Sequence, residues 1–205
     1  MASGSAALGV RLSRSLHRFA ADEAGLAAIE AALTLPVALG LLGLITLGGQ
    51  GFEVQRKVTL ASHTITDLVC QSPLPTDGTN SSGATLNQST LDYYLSLSAL
   101  ILYPNDSSGV TAEISELQLT GNGSPTATVV WSEAWPSGTA TRPIGQVVSI
   151  NSSIVGAGSS YLILGEVQYA FQPLGVNQTV TAMSLSDAMM MSPRAAAQIT
   201  VNWGQ

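Results

Sequence analysis

Cysteine, histidine and charge are all scarce in this sequence, and each scarcity closes off a class of function. A single cysteine, Cys70, among 205 residues excludes an intramolecular disulfide, so the chain is no disulfide-stapled secreted scaffold. Cys70 reads as a small buried hydrophobe at a helix end, with an intermolecular bridge or a reactive thiol as the sharper alternatives. The two histidines, His17 and His63, stand far apart, and no HxxxH, HxH or CxxC spacing offers a zinc-ligand set. Gly121 and Gly123 lack the lysine and the following helix of a phosphate-binding loop. Charged residues are 10% of the chain and the formal net charge is −6. Residues 53–205 carry four Lys/Arg against ten Asp/Glu, an acidic balance that makes nucleic acid a poor partner. No cofactor, no metal and no catalytic residue are expected, and the chain reads as a non-enzyme.

What the sequence does have is one long apolar run at residues 25–51, GLAAIEAALTLPVALGLLGLITLGGQG, with Glu30 at its front edge and Pro36 inside it. Residues 31–49 carry no charge, and at 1.5 Å per residue they make a helix about 28 Å long, close to the roughly 30 Å hydrocarbon core of a bilayer. A transmembrane helix is the reading, with a buried core helix as its alternative. Arg11, Arg14, His17 and Arg18 precede the run, which predicts a cytoplasmic basic leader over 1–24 and an external domain over 52–205. A cleavable signal peptide competes, but the run exceeds an h-region of about 7 to 15 residues and no A-x-A site closes it.

Helical periodicity continues beyond the run. Val54, Val58, Ala61, Ile65, Leu68 and Val69 form one apolar stripe over residues 53–71, ending near Pro73 and Pro75. Residues 73–89 read as a loop, and Ser89 with Asp92 as the capping start of a second helix that ends before Pro104. The period then turns extended: 110–119 and 126–135 read as a hairpin across GNGSP at 121–125, followed by strands at 160–171, 179–190 and 198–203. The fold class expected is α+β, a long N-terminal helix followed by a small domain with a second helix and an antiparallel β-sheet. Glu113, Glu116, Glu133 and Glu166 read as solvated or edge charges on hairpin strands, the alternative being a carboxylate pair for acid/base work. Six N-x-[ST] triplets, at Asn80, Asn87, Asn105, Asn122, Asn151 and Asn177, mark surface and loop.

A carboxylate entering a membrane span is costly unless it is paired or reaches the interface, so Glu30 calls for a reason; reaching the cytoplasmic headgroups beside Arg18 is one. Its spacing suggests another. Gly25-Leu-Ala-Ala-Ile-Glu30 ahead of an apolar helix resembles the cleavage motif of type IV prepilins and TadE-like pseudopilins. Arg18-Phe19, Asp22-Glu23-Ala24-Gly25, residues 28–33 (AIEAAL) and Leu35-Pro36 resemble the head of the TadE/TadG-like family of bacterial tight-adherence (Flp) pilus assembly proteins. Gly165-Glu166-Val167, Tyr169, Phe171-Gln172-Pro173-Leu174 and Ser192-Pro193-Arg194 are similar to its β-rich tail. The resemblance implies a pseudopilin-like component of a pilus or secretion apparatus, anchored once in the inner membrane with a periplasmic domain, and in some settings carried into an adhesive surface pilus. It implies as partners other pilus or pseudopilin subunits, assembly-platform proteins and a prepilin peptidase cutting between Gly25 and Leu26. Glu30 and Pro36 would then govern helix register and assembly, with Glu30 facing the new α-amino group of a neighbour's Leu26. The chain departs from the pattern at Ala31, where such sites commonly carry an aromatic, so an uncleaved anchor stands beside the cleaved form. The alternative of a different class is a membrane-tethered or secreted periplasmic domain that binds a ligand, adheres, or is an enzyme with no recognisable catalytic motif.

Overall fold

A 48-residue helix, α1 (Glu23–Cys70), opens the part of the chain that the computed structural model describes, namely residues 23–73, 83–120, 126–150, 161–173 and 182–204. Two compact units are present, residues 1–49 and 50–205. In the first, every described residue is helical, including Pro36, which has no N–H for the carbonyl four residues back. Hydroxyls in this apolar stretch bond inward: Thr34 Oγ1 donates to the Glu30 carbonyl at 2.9 Å and Thr46 Oγ1 to that of Gly43 at 2.9 Å. Such back-bonding leaves no hydroxyl needing water.

The second unit contains the rest of α1, then β1 (Gly83–Asn87), α2 (Gln88–Ile101), β2 (Val110–Thr120), β3 (Thr126–Trp135), β4 (Val147–Val148), β5 (Tyr161–Phe171), β6 (Met183–Met191) and β7 (Gln198–Asn202). Five strands form one antiparallel sheet in the order β4-β3-β2-β5-β6, while β1 and β7 pair in parallel as a separate two-stranded piece. The expected α+β class with its two helices and antiparallel sheet is therefore what forms. The predicted stripe also holds, with Val54, Val58, Ala61, Ile65 and Val69 buried at three- and four-residue steps, although Leu68 is only half-buried.

Period-2 alternation sorts the sheet into two faces. Val110, Ala112 and Ile114 of β2 share one face with Val167 and Tyr169 of β5, and this face carries the main core with α1, α2 and β7. Leu117, Ala127, Val129, Leu162 and Leu164 make a smaller core on the other face. A bulge at Glu116/Leu117 makes the split possible: Glu116 pairs with Trp131 and Leu117 with Val129, leaving Val130 as the extra residue of β3. Trp131 and Val129, two apart, thereby reach opposite cores, which unbroken alternation forbids.

α1 comes close to the sheet at Gly165. A Cβ at that position would fall on Thr66 Oγ1 and within 3.2 Å of Thr66 Cβ, so only the missing side chain lets helix and strand meet there.

Three local expectations need correction. Residues 83–87 form strand β1 where a loop was expected, because their partner is β7 in the far C-terminal region and no local pattern announces it. The second helix starts at Gln88 with Asn87 as an extended N-cap whose side chain makes no capping bond, in place of a Ser89–Asp92 start. The strand expected at 179–190 is observed as Met183–Met191 and so runs one residue further, while residues 179–181 lie outside the described residues. The 121–125 turn lies outside the described residues, though the pairing of Thr120 with Thr126 makes the hairpin plain.

Candidate functional site

Two places in the molecule carry the sequence-derived candidates, the apolar part of α1 and the charged face of the sheet. Gly25, Leu26, Glu30 and Pro36 all sit within α1 and all are exposed, Leu26 at 68%. Ile29, Leu33, Leu35, Val37 and Leu39 are exposed around them. A helix apolar on every side and buried on none is the pattern of a lipid-facing segment, since in water it would leave large apolar area unshielded. Its most apolar 18-residue window is wholly unburied, and by length and composition the helix is long enough to cross a membrane. Glu30 lies one turn into the helix from Leu26, the position at which a processed chain would present its α-amino group.

On the sheet, the structure brings together two of the four carboxylates read as solvated charges. Glu113 and Glu166 are register partners on neighbouring strands β2 and β5. Arg142, from the segment joining β3 and β4, reaches between them: its Nη1 pairs with Glu166 Oε2 and lies 3.4 Å from Glu113 Oε2. Glu113 Oε1 also accepts the Arg142 amide and the Ser132 hydroxyl, each at 2.7 Å. The guanidinium is thereby held still more firmly protonated, chiefly by its bond to Glu166. These groups line an open cavity of about 560 Å³ with Thr111, Gln168 and Asp187. Glu113 is thus engaged by Arg142 and Ser132 and Glu166 by Arg142, and the triad fastens the β3–β4 segment over the sheet. Arg142 carried no sequence signal, because its partners lie 29 and 24 residues away.

Removing Arg142 leaves two carboxylates side by side without a counter-charge. Arg142→Ala is expected to cost on the order of 1–2 kcal/mol, less than the 3–5 of a fully buried pair because the three side chains keep 20–30% exposure. Denaturant midpoints and amide exchange at Val147 and Val148 measure it, and unchanged values for both would refute the clamp.

Glu116 departs furthest from expectation. It is fully buried in the helix-side core, not solvated. Its Oε1 accepts the Ile199 amide at 2.7 Å, while the neighbouring Trp131 Nε1 donates to the Ile199 carbonyl at 2.8 Å. Glu116 and Trp131, cross-strand partners, thus hold both backbone groups of one residue of β7, acting as a substitute strand edge. Burial pushes the Glu116 carboxyl up to about 7, outweighing the opposing bond from Ile199 and the Gln198 and Trp131 side chains. A signal existed: Ala112, Ile114 and Glu116 share a period-2 face, which places Glu116 among the apolar residues.

The remaining candidates are structural too. His63 is not alone, lying 3.9 Å from Asp187, which also accepts the Ser62 hydroxyl at 2.6 Å. Cys70 is buried as a small hydrophobe, its thiol pushed up to about 12 by burial and then by Asp67. Arg194 closes the C-terminal end of α1: its amide bonds the Cys70 carbonyl at 2.9 Å and its guanidinium meets Asp67 at 2.6 Å. A cation there also complements the negative end of the helix dipole.

Compared with protein-family models, curated proteins and solved structures, the chain matches none. Its function therefore has to be argued from its own residues.

Proposed function

We propose that this chain is a non-enzymatic, single-pass membrane protein, a pseudopilin-like component of a tight-adherence pilus assembly or secretion apparatus, which works by assembly. The observation that carries the reading is α1 itself, one uninterrupted helix of 48 residues. Its first part is exposed and apolar on all sides, and its last part supplies the central stripe of a folded domain's core. One element thereby serves both the apolar segment and the domain's core, as suits a subunit that works by packing helix against helix.

The basic cluster at Arg11, Arg14 and Arg18 supports a cytoplasmic N-terminus and a periplasmic domain under the positive-inside tendency. The spacing of Gly25, Leu26 and Glu30 supports processing by a prepilin peptidase after Gly25. Glu30 would then meet the α-amino group of a neighbouring subunit's Leu26, exchanging hydration for a charge-assisted bond and fixing axial register. Pro36 supports a bend in the same segment. The locking of Glu113 and Glu166 onto Arg142 favours a structural over a catalytic use of the domain's carboxylates.

Intact mass of the protein recovered from membranes is the test. Loss of residues 1–25 is expected for the processed subunit. Full length would reduce the reading to an uncleaved anchor, and a cut after about residue 48, where an unusually long signal sequence would end, would replace it with a secreted domain. A Glu30→Ala chain that is processed and assembles as the parent does would remove the register role.

A further inference from the structure

We infer that the end of the external domain at which α1 enters it is a lipid-docking surface, resting on the headgroup layer of the bilayer that α1 crosses. The inference rests on the membrane-spanning reading of α1 and adds a second, independent contact with the membrane.

Three large apolar side chains from three separate elements stand out at this end: Phe52 of α1 is 77% exposed, Tyr103 beyond α2 is 75% and Met183 at the start of β6 is 60%. Their neighbourhood is fixed by contacts within the domain. Lys57 Nζ donates to the Tyr103 carbonyl at 3.1 Å, a turn or so after Phe52. Gly51 lies against Phe171, a Cβ there falling 3.7 Å from its ring, and Phe171 is the register partner of Met183.

The covalent chain says what covers this end. Between Glu30 and Glu53 there is no charged residue, so Phe52 is the last residue of the uncharged run and at the same time part of the exposed rim. Because Phe52 directly follows the apolar run in the chain, covalent connection alone keeps this residue within a few residues of the lipid-facing segment. Tyr103 suits the interface, where its apolar ring and its hydroxyl are both satisfied, while Phe52 and Met183 bury apolar area there. Charge does not oppose it: Lys57 is paired with Glu53 at 3.2 Å, and exposed Arg56 and Asp106 balance each other in sign. A zwitterionic surface therefore suffices, and binding is expected to be insensitive to salt.

The full chain, reconstituted in phosphatidylcholine vesicles, tests this with an environment-sensitive fluorophore on Tyr103→Cys or Met183→Cys, and on Thr120→Cys as control. Native Cys70 is buried and does not compete for label. Thr120 is exposed and ten residues along β2 from the end near Gly109, about 33 Å away. Labels at 103 and 183 are expected to shift to the blue and to be quenched roughly twofold or more by nitroxide lipids, while the label at 120 is not. If all three behave as in water while the protein survives an alkaline carbonate wash, the span stands and the docking surface does not. A blue shift without lipid quenching means another protein molecule covers this end, which also overturns the inference. Release of the chain by carbonate would remove the spanning reading itself.

Discussion

Gly165→Ala is expected to destabilise the folded domain of residues 50–205 by about 3 kcal/mol, the upper end for inserting a methyl group into a packed core. The new methyl would coincide with Thr66 Oγ1 and lie 3.2 Å from Thr66 Cβ and 3.5 Å from the Ser62 carbonyl. The hydroxyl cannot simply turn aside, since it donates to the Ser62 carbonyl at 2.6 Å in a buried site. Relief requires α1 to lift from β5, which uncovers Ile65 and Val167 on either side of the contact. Against a typical total stability of 5–15 kcal/mol, such a loss moves the urea midpoint far down without altering the slope. Adding Thr66→Ala removes the hydroxyl but not the Cβ, so the double variant should recover part of the loss, giving a coupling well above the scatter of independent sites. A Gly165→Ala midpoint equal to that of the parent chain would mean the close approach does not exist in solution.

The second large effect belongs to Glu116. Its folded-state value of about 7 lies above the 4.5 of an unhindered carboxyl, so the folded protein holds a proton that the unfolded chain releases. The contribution to stability is therefore intact below pH 4.5 and is lost as pH rises through 7, the reverse of the usual salt-bridged carboxylate. At about 1.4 kcal/mol per unit, the difference amounts to roughly 3 kcal/mol between acid and mildly alkaline solution. The groups touching it are the Ile199 amide and the Trp131 and Gln198 side chains, none of which ionises in this range. Glu116→Gln keeps an acceptor for the Ile199 amide and abolishes the charge. It is expected to match the parent at pH 4.5 and to exceed it at pH 8, with denaturant titrations of both chains at the two pH values giving the comparison. Parallel pH profiles for the two chains would show that Glu116 does not titrate in the folded state.

Periodicity made most of the fold legible. The stripe from Val54 to Val69, the second helix and the alternating strands around the 121–125 turn are local patterns, set by residues two, three or four apart. What escaped is what depends on distant partners. Strand β1 is Gly-Ala-Thr-Leu-Asn, a sequence that offers turn residues at both ends and is made a strand only by pairing with β7. Arg142 belongs to a Thr/Pro-rich connection and gains meaning from two glutamates on other strands. Glu116 shows the limit of reasoning from residue type: its charge suggested solvent while its position in the alternation pointed to the core, and position decided. Glu30, Gly25, Leu26 and Pro36 are the opposite case, near one another in the sequence and all within the exposed first part of α1.

The pairing of β1 with β7 has a consequence for how the protein is made. Thr85 and Thr200, whose hydroxyls lie 3.3 Å apart across this pair, are separated by 115 residues. A chain made from its N-terminal end presents Ala84 and Leu86, and later Glu116 and Trp131, well before Ile199 exists to cover them. The domain can thus complete its core only late in synthesis, and closing so long a loop is entropically slow. Until then the half-built sheet presents unpaired strand edges, the places at which one unfinished chain can pair with another.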